Sequence, residues 1–129
     1  MARTALLALL LLALVVELAL TFGAFFAPAF TLGKFGVPLN DDTAFLGYIV
    51  AWLLLFVSLA AGLALVWVRQ RHPGYPALCY LLGVWWMGIG VGIYLAFGKP
   101  GNLLLDTLKG LLLVLATWQS RRSAVPARA

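Results

Sequence analysis

The stretch "TAFLGYIVAWLLLFVSLAAGLALVWV", Thr43 to Val68, is apolar almost throughout and contains no charged residue. A helix needs about 20 consecutive apolar residues to cross the roughly 30 Å of hydrocarbon in a bilayer, at about 1.5 Å per residue. This stretch is long enough to do so. It therefore predicts a membrane-spanning helix, and the rest of the chain can be compared with it.

Three further apolar runs have a similar character, at about 4–27, 77–97 and 102–119. The 129-residue chain is 64% hydrophobic and 10% charged, whereas charged residues make up about 25% of an ordinary soluble domain. We therefore predict an all-α, polytopic membrane protein with a single domain, 1–129, built as a four-transmembrane-helix bundle. A polar C-terminal tail at 120–129 completes the chain. Four helices with short loops leave no room within these residues for a soluble catalytic domain.

Proline and glycine clusters mark the connections between the four runs. Pro28 and the segment 33–38 end the first run, "RHPGYP" at 71–76 separates the second from the third, and "GKPGN" at 98–102 precedes the fourth. Glu17 interrupts the first run, which also exceeds the ~7–15 apolar residues of a signal-peptide core, so we expect a retained helix. The sequence thus predicts successive helical hairpins.

The basic residues predict how the chain is oriented. Alternating loops place six arginines on one side of the membrane and Lys34 and Lys99 on the other. The six are Arg3, Arg69, Arg71, Arg121, Arg122 and Arg128. By the positive-inside rule, both termini and the middle loop are cytoplasmic. Attraction to anionic lipid headgroups explains the net charge of +5, so we do not expect nucleic-acid binding.

Three charged residues lie within the apolar runs, and their depths predict that they meet. Lys109 in the fourth run lies about 10 Å below the outer boundary, and Asp106 lies one turn shallower. Glu17 in the first run lies about 20 Å above the inner boundary, which is the level of Lys109. Both helices carry a stripe of small or polar residues through these positions. The stripes are Ala13, Glu17, Thr21, Ala24 and Asn102, Asp106, Lys109, Gly110, Thr117.

The predicted cluster of Glu17, Asp106 and Lys109 has three interpretations. It can be a structural lock that fixes helix register, because charges inside membranes usually face the bundle and pair. It can also be a protonation or substrate site, since two carboxylates face one ammonium group. In the third interpretation, Lys109 or Asp106 snorkels outward to the membrane boundary.

The third run contains a small-xxx-small pair, Gly88 and Gly92, which predicts close packing against another helix. Trp85 and Trp86 in this run, and Trp52 in the second, lie nearer the middle of the bilayer than the boundary where tryptophan is usually found. Packing in the core and contact with a protein, pigment or quinone are equally compatible with their depth.

Several chemistries lack the residues they need in this sequence. The single histidine, His72, lies in a loop, so no histidine is available within the bundle to ligate haem. A single cysteine, Cys79, excludes an internal disulfide or a CxxC pair. No metal-site spacing, catalytic constellation or phosphate-binding loop is visible. We therefore predict no catalysis, no cofactor and no metal.

The stretch "FFAPAFTLGKFGVPLNDDTAFLGYIVAWLLL", Phe25 to Leu55, resembles the DoxX-like superfamily of small four-helix bacterial membrane proteins. The shared features are the exit at Pro28, the loop "LGKFGVP", "DDTA" before the second helix and the acidic Asp106. An arginine expected near the start of the second helix is replaced here by Gly47 and Tyr48. The resemblance implies a four-helix fold, the bacterial inner membrane and, by way of its named members, quinone-linked sulfur oxidation.

Glu17 in "VVELA" resembles the proton-coupled carboxylate in the first helix of small multidrug-resistance transporters. Lys109, the long first loop and the glycine-rich third helix depart from that pattern. From the whole sequence we expect a non-catalytic accessory or scaffold subunit of a larger membrane complex, respiratory or photosynthetic, with other membrane subunits as partners. A homo-oligomer, a proton-coupled transporter using Glu17 and a DoxX-like redox subunit are the alternatives.

Overall fold

A computed structural model describes residues 1–124 of the chain. These residues form five helices and no strand. In chain order the helices are α1 (Ala2–Phe26), α2 (Pro28–Gly33), α3 (Ala44–Gln70), α4 (Tyr75–Phe97) and α5 (Pro100–Ala124). All but α2 are long and apolar enough to cross a membrane. The predicted all-α bundle with four transmembrane helices is confirmed.

The last helix is longer than the sequence predicted. We expected it to end at residue 119 and a polar tail to follow, but α5 continues to Ala124. Arg121 and Arg122 in its last turn favour helix, since arginine is a good helix former and its positive charge suits a helix C-terminus. Polarity was therefore a poor guide to where this helix ends. The remainder of the predicted tail, 125–129, lies outside the described residues.

A short helix, α2, occupies part of the first predicted loop. Helix α1 ends at Phe26, and Pro28 then begins α2, where its missing N–H group costs nothing. Leu32 is buried and lies against the start of α3, where a Cβ atom added at Gly47 would be 3.6 Å from Cδ1 of Leu32. The proline exit from the first helix was predicted, whereas this packed turn of helix was not.

The four long helices pack in a ring. Helices α1 and α3 pack extensively as one hairpin, and helices α4 and α5 pack as a second. Contacts between α1 and α5 and between α3 and α4 close the bundle. Within 1–124, the diagonal pairs α1–α4 and α3–α5 have no Cα atoms within 8 Å of each other. Buried residues from all four helices form the core, namely Leu6, Leu10, Ala13, Val57, Ala61, Ala64, Val68, Cys79, Leu82, Trp86 and Leu113.

The close packing of α4 does not use the glycine pair that the sequence indicated. Gly88 and Gly92 are exposed, and a Cβ atom added at either would have no neighbour within 4 Å. Instead, Gly83 and Gly90 lie on the buried face against α5, with Gly110 on the other side of the contact. A Cβ atom at Gly90 would lie 2.9 Å from the carbonyl oxygen of Asn102. The prediction for Gly88 and Gly92 is therefore wrong for packing within this chain, because the helix turns those two positions outward.

One end of the bundle, which we call the arginine end, contains the start of α1 and the end of α5. The Arg3 side chain donates from Nε to the carbonyl oxygen of Val68 at 3.2 Å and from Nη2 to that of Arg69 at 2.6 Å. These carbonyl groups belong to the last turn of α3, where backbone acceptors lack the usual donor four residues on. That of Val68 also accepts from the Arg71 N–H group at 3.3 Å. Arg3 thus joins the start of α1 to the end of α3.

Candidate functional site

The buried face of α1 positions the first acidic residue of the predicted cluster. Its buried residues recur every three or four positions along the helix, as Leu6, Leu10, Ala13, Glu17, Thr21 and Ala24. All of the predicted α1 stripe is therefore buried. On α5, the predicted stripe residues are buried or half-buried, and Leu113 completes that face. The two faces meet, as the sequence predicted.

Lys109 lies between the two carboxylates. Its Nζ atom is 2.6 Å from Oε1 of Glu17 and 3.0 Å from Oδ1 of Asp106, which is one turn away on the same helix. The side chains of Glu17, Lys109 and Asp106 are 4%, 14% and 16% exposed. The predicted contact is confirmed, and Lys109 does not extend away from the bundle. With all three groups ionised, the cluster carries one net negative charge.

Two further side chains surround this cluster. Asn102 donates from Nδ2 to Oδ2 of Asp106 at 3.1 Å, so both oxygen atoms of that carboxylate have a donor. The ammonium group of Lys109 lies 4.5 Å from the centre of the Trp86 ring, a cation–π contact. Trp86 is 2% exposed and belongs to the core. The sequence pointed to Trp86 by depth alone and gave no signal that it faces Lys109.

A pair of hydroxyl groups lies one turn from Glu17. Thr21 donates to the Glu17 carbonyl oxygen at 2.7 Å, and its Oγ1 atom is 3.1 Å from Oγ of Ser58 on α3. The Ser58 hydroxyl group has a single proton, which it can donate to Thr21 Oγ1 or to the Leu54 carbonyl oxygen at 2.8 Å. This contact links α1 to α3 beside the ion pair that links α1 to α5. Sequence reasoning included Thr21 in its stripe but missed Ser58 as its partner.

Two buried polar atoms near this region, Trp86 Nε1 and Thr107 Oγ1, have no hydrogen-bond partner in the part of the chain that the structure describes. Thr107 packs against α4, where a Cβ atom added at Gly90 would lie 2.5 Å from its Oγ1 atom. An unpaired polar group in an apolar interior costs free energy. The polar cluster thus extends from α1 through α5 to the face of α4 that carries Trp86 and Gly90.

The other two tryptophans of interest face outward. Trp52 is 62% exposed and Trp85 is 41% exposed. Trp52 belongs to a row of aromatic side chains along one side of α3, which we call the α3 aromatic face: Phe45, Tyr48, Trp52 and Phe56. Members of this row, with Ile49 and Leu53, line a shallow surface groove. The three tryptophans therefore differ: Trp86 packs in the core, whereas Trp52 and Trp85 are exposed to contact with another molecule.

The basic residues gather at the arginine end. Arg69, Arg71, Arg121 and Arg122 are exposed there, and Arg3 reaches the same end from α1. Arg122 lies over the Trp118 ring, with its Cζ atom 3.8 Å from the ring centre. Lys34 and Lys99 lie in connections at the opposite end. The segregation of basic residues follows the prediction, except that Arg128 lies outside the described residues.

Among residues 1–124, no three histidine, cysteine or acidic side chains are grouped closely enough to hold a metal ion. Cys79 is a free, buried thiol. The fold defines a multi-pass helical membrane protein whose long helices contact the lipid bilayer. Comparisons with protein-family models, with curated proteins and with solved structures give no match to this chain.

Proposed function

We propose that this protein is a non-catalytic accessory subunit of a larger membrane complex and that it contacts its partner through the α3 aromatic face. The observation that carries this proposal is the exposure of that face. Phe45, Tyr48, Trp52 and Phe56 are 70%, 66%, 62% and 70% exposed. They follow one another at intervals of three or four residues, so they lie on one side of the helix. Large aromatic side chains in this arrangement are typical anchors of protein interfaces.

The depth of the aromatic face also favours a partner. Tryptophan and tyrosine are enriched at membrane boundaries, which accounts for Tyr48 near the start of α3. Trp52 and Phe56 lie about 12 and 18 Å further along the helix than its first residue, at about 1.5 Å per residue. A boundary role does not explain aromatic side chains at that depth. Contact with another membrane subunit does.

The charge cluster supports a structural role within the bundle. Lys109 is bonded directly to both carboxylates, and Asn102 supplies a further donor to Asp106. The surface grooves on α3 and at the arginine end include none of these four residues in their linings. We therefore assign the cluster to fixing the register of α1 and α5.

The setting proposed for the protein combines its charges with its resemblance to DoxX-like proteins. By the positive-inside rule the arginine end faces the cytoplasm, so both termini are cytoplasmic. The resemblance implies that the membrane is the bacterial inner membrane. A respiratory or photosynthetic complex suits aromatic side chains deep in the bilayer. Within such a complex the protein serves as a scaffold and performs no reaction.

One observation favours a second candidate, a small proton-coupled transporter. Glu17 and Asp106 together carry one more negative charge than Lys109 neutralises. Intramembrane carboxylates of this kind are typical of proton pathways in transporters. In that case Glu17 takes part in transport, and a Glu17→Gln variant folds but is inactive.

The test is native electrophoresis of mildly solubilised source membranes, with mass spectrometry of whatever migrates with this chain. We expect a reproducible large complex containing the wild-type chain. Migration alone or as a small homo-oligomer would overturn the proposal and direct attention to Glu17.

A pair of matched variants tests the surface. Trp52→Leu should reduce co-migration at least tenfold, because truncating an aromatic anchor typically costs about 2 kcal/mol or more. Trp85→Leu makes the same replacement on an exposed side of α4 and should leave the complex intact. If only Trp85→Leu releases the chain, the accessory role stands and the assigned face is wrong.

A further inference from the structure

Within the described residues, the arginine end carries positive charge that no acidic side chain neutralises. The chain has four acidic residues. Glu17 and Asp106 belong to the intramembrane cluster, and Asp41 and Asp42 lie before α3, at the opposite end of the bundle. Both ion pairs within 1–124 involve Lys109, so no arginine in that range has a carboxylate partner. A bound anion can therefore balance this charge.

The arginines at this end are not equivalent. Arg3 is already committed, because it donates to the carbonyl oxygens of Val68 and Arg69. Among residues 1–124, Arg122 has no such acceptor. The Cζ atom of its guanidinium group lies over the Trp118 ring, 3.8 Å from the ring centre. This contact orients the guanidinium group while leaving its N–H donors free for a ligand.

Arg122 and Trp118 line a groove between the end of α5 and the start of α1. The full lining is Met1, Ala2, Ala5, Trp118, Gln119, Arg122 and Ser123. The α1 start has no side-chain cap, and its first intrahelical bond runs from the Ala5 N–H group to the Met1 carbonyl oxygen. The preceding N–H groups of α1 therefore lack helical acceptors at the positive end of its dipole. The guanidinium group of Arg122 and the start of α1 therefore lie in the same groove.

We propose that this groove binds the phosphate headgroup of an anionic membrane lipid. Arginine binds phosphate through two parallel N–H donors, and unpaired N–H groups at a helix start favour the same charge. The groove also has an apolar side formed by Ala2, Ala5 and Trp118, which suits the glycerol and upper acyl chains. Its position at the ends of two membrane-spanning helices places it at headgroup depth. A lipid can use both sides of the groove, whereas a free phosphate ion uses only the polar side.

The test uses the full chain in mild detergent, titrated with phosphatidylglycerol or phosphatidylcholine and followed by native mass spectrometry. We expect one tightly bound phosphatidylglycerol per chain and weaker binding of phosphatidylcholine. Arg122→Gln should weaken that binding about tenfold, as expected for a lost hydrogen bond to a charged group. Arg121→Gln removes the same charge next to the groove without altering its lining and should have little effect. Equal weakening by both variants would show diffuse attraction only and would overturn the proposal.

Two further measurements test the same site if Arg122→Gln disturbs folding. Ala5→Leu fills the groove without changing charge and should also weaken binding of phosphatidylglycerol, whereas unchanged binding would overturn the site. Inorganic phosphate is added as a competitor at the same concentrations. If it displaces phosphatidylglycerol completely, the groove recognises phosphate alone and the lipid assignment fails. The result does not depend on whether the protein has a partner complex.

Discussion

The Nζ atom of Lys109 lies 2.6 Å from the Oε1 atom of Glu17, although the two residues are 92 positions apart in the sequence. This ion pair joins α1 to α5, the two long helices that are neighbours in the bundle without being adjacent in the chain. Hairpin connections hold the other large contacts together. The bond between Glu17 and Lys109 therefore stabilises the contact at which the ring of helices closes.

Lys109→Met should destabilise the bundle by about 3 kcal/mol, because it leaves two carboxylates in a largely apolar interior without their cation. The loss should appear as a lower midpoint of unfolding in a titration with sodium dodecyl sulfate. Lys99→Met changes an exposed lysine in the connection before α5 and serves as the control. Its unfolding midpoint should stay within experimental error of the wild type.

Neutralising the whole cluster should restore stability. The variant with Glu17→Gln, Asp106→Asn and Lys109→Met has no buried charge, so we expect it to be clearly more stable than Lys109→Met alone. A triple variant as unstable as Lys109→Met would contradict the electrostatic explanation.

Glu17→Gln by itself distinguishes the two roles considered for the cluster. A lower unfolding midpoint indicates a structural lock, whereas an unchanged midpoint with lost transport indicates a proton site.

The sequence was informative about the charge cluster because membrane depth is a one-dimensional quantity. Counting residues from the predicted helix ends put Glu17 and Lys109 at one level, and the stripes of small residues gave their faces. The same reasoning was insufficient for the glycines. Positions 88 and 92 share a face, but Gly90 lies on another, and only the packing of α5 decides which of these faces is buried.

Rotation about the helix axis also limited what could be said about the tryptophans. Trp85 and Trp86 are adjacent in sequence, so a helix directs them to different sides, and only Trp86 reaches the core. The resemblance to DoxX-like proteins and the cytoplasmic position of the arginine end stay predictions. Neither a partner complex nor an orientation can be read from helix packing, because both depend on molecules outside the chain.

The close contact of α4 with α5 predicts opposite tolerances at two neighbouring glycines. Gly90→Ala should destabilise the bundle by roughly 1–3 kcal/mol, since the new Cβ atom would lie 2.5 Å from Oγ1 of Thr107. Gly92→Ala adds the same methyl group where nothing lies within 4 Å. It should leave stability unchanged or raise it by up to about 1 kcal/mol, because alanine favours helix. Equal unfolding midpoints for the two variants would contradict the described helix rotation.

The end of α3 predicts a stabilising substitution. Arg71 follows the helix with φ of 57°, a left-handed conformation that glycine adopts without a clash at Cβ. Arg71→Gly should therefore raise the free energy of unfolding by up to about 1 kcal/mol. Arg69→Gly removes the same charge from within the helix and should lower it by about 1 kcal/mol. Thermal unfolding in detergent distinguishes these opposite signs, and two losses of stability would contradict the conformation described for Arg71.

Cys79 provides a direct assay for packing of the core. It is the single cysteine of the chain and is completely buried, so a water-soluble maleimide should label it at least about a hundredfold more slowly than a freely exposed thiol. The exposed comparison is Ser123→Cys in a Cys79→Ala background, at the arginine end of α5. Denaturation by sodium dodecyl sulfate should make both thiols react at similar rates.

Because labelling of Cys79 requires the bundle to open, the destabilised Lys109→Met and Gly90→Ala variants should label faster than the wild type. Rapid labelling of Cys79 in the folded wild type would show that α4 does not pack in the core as described.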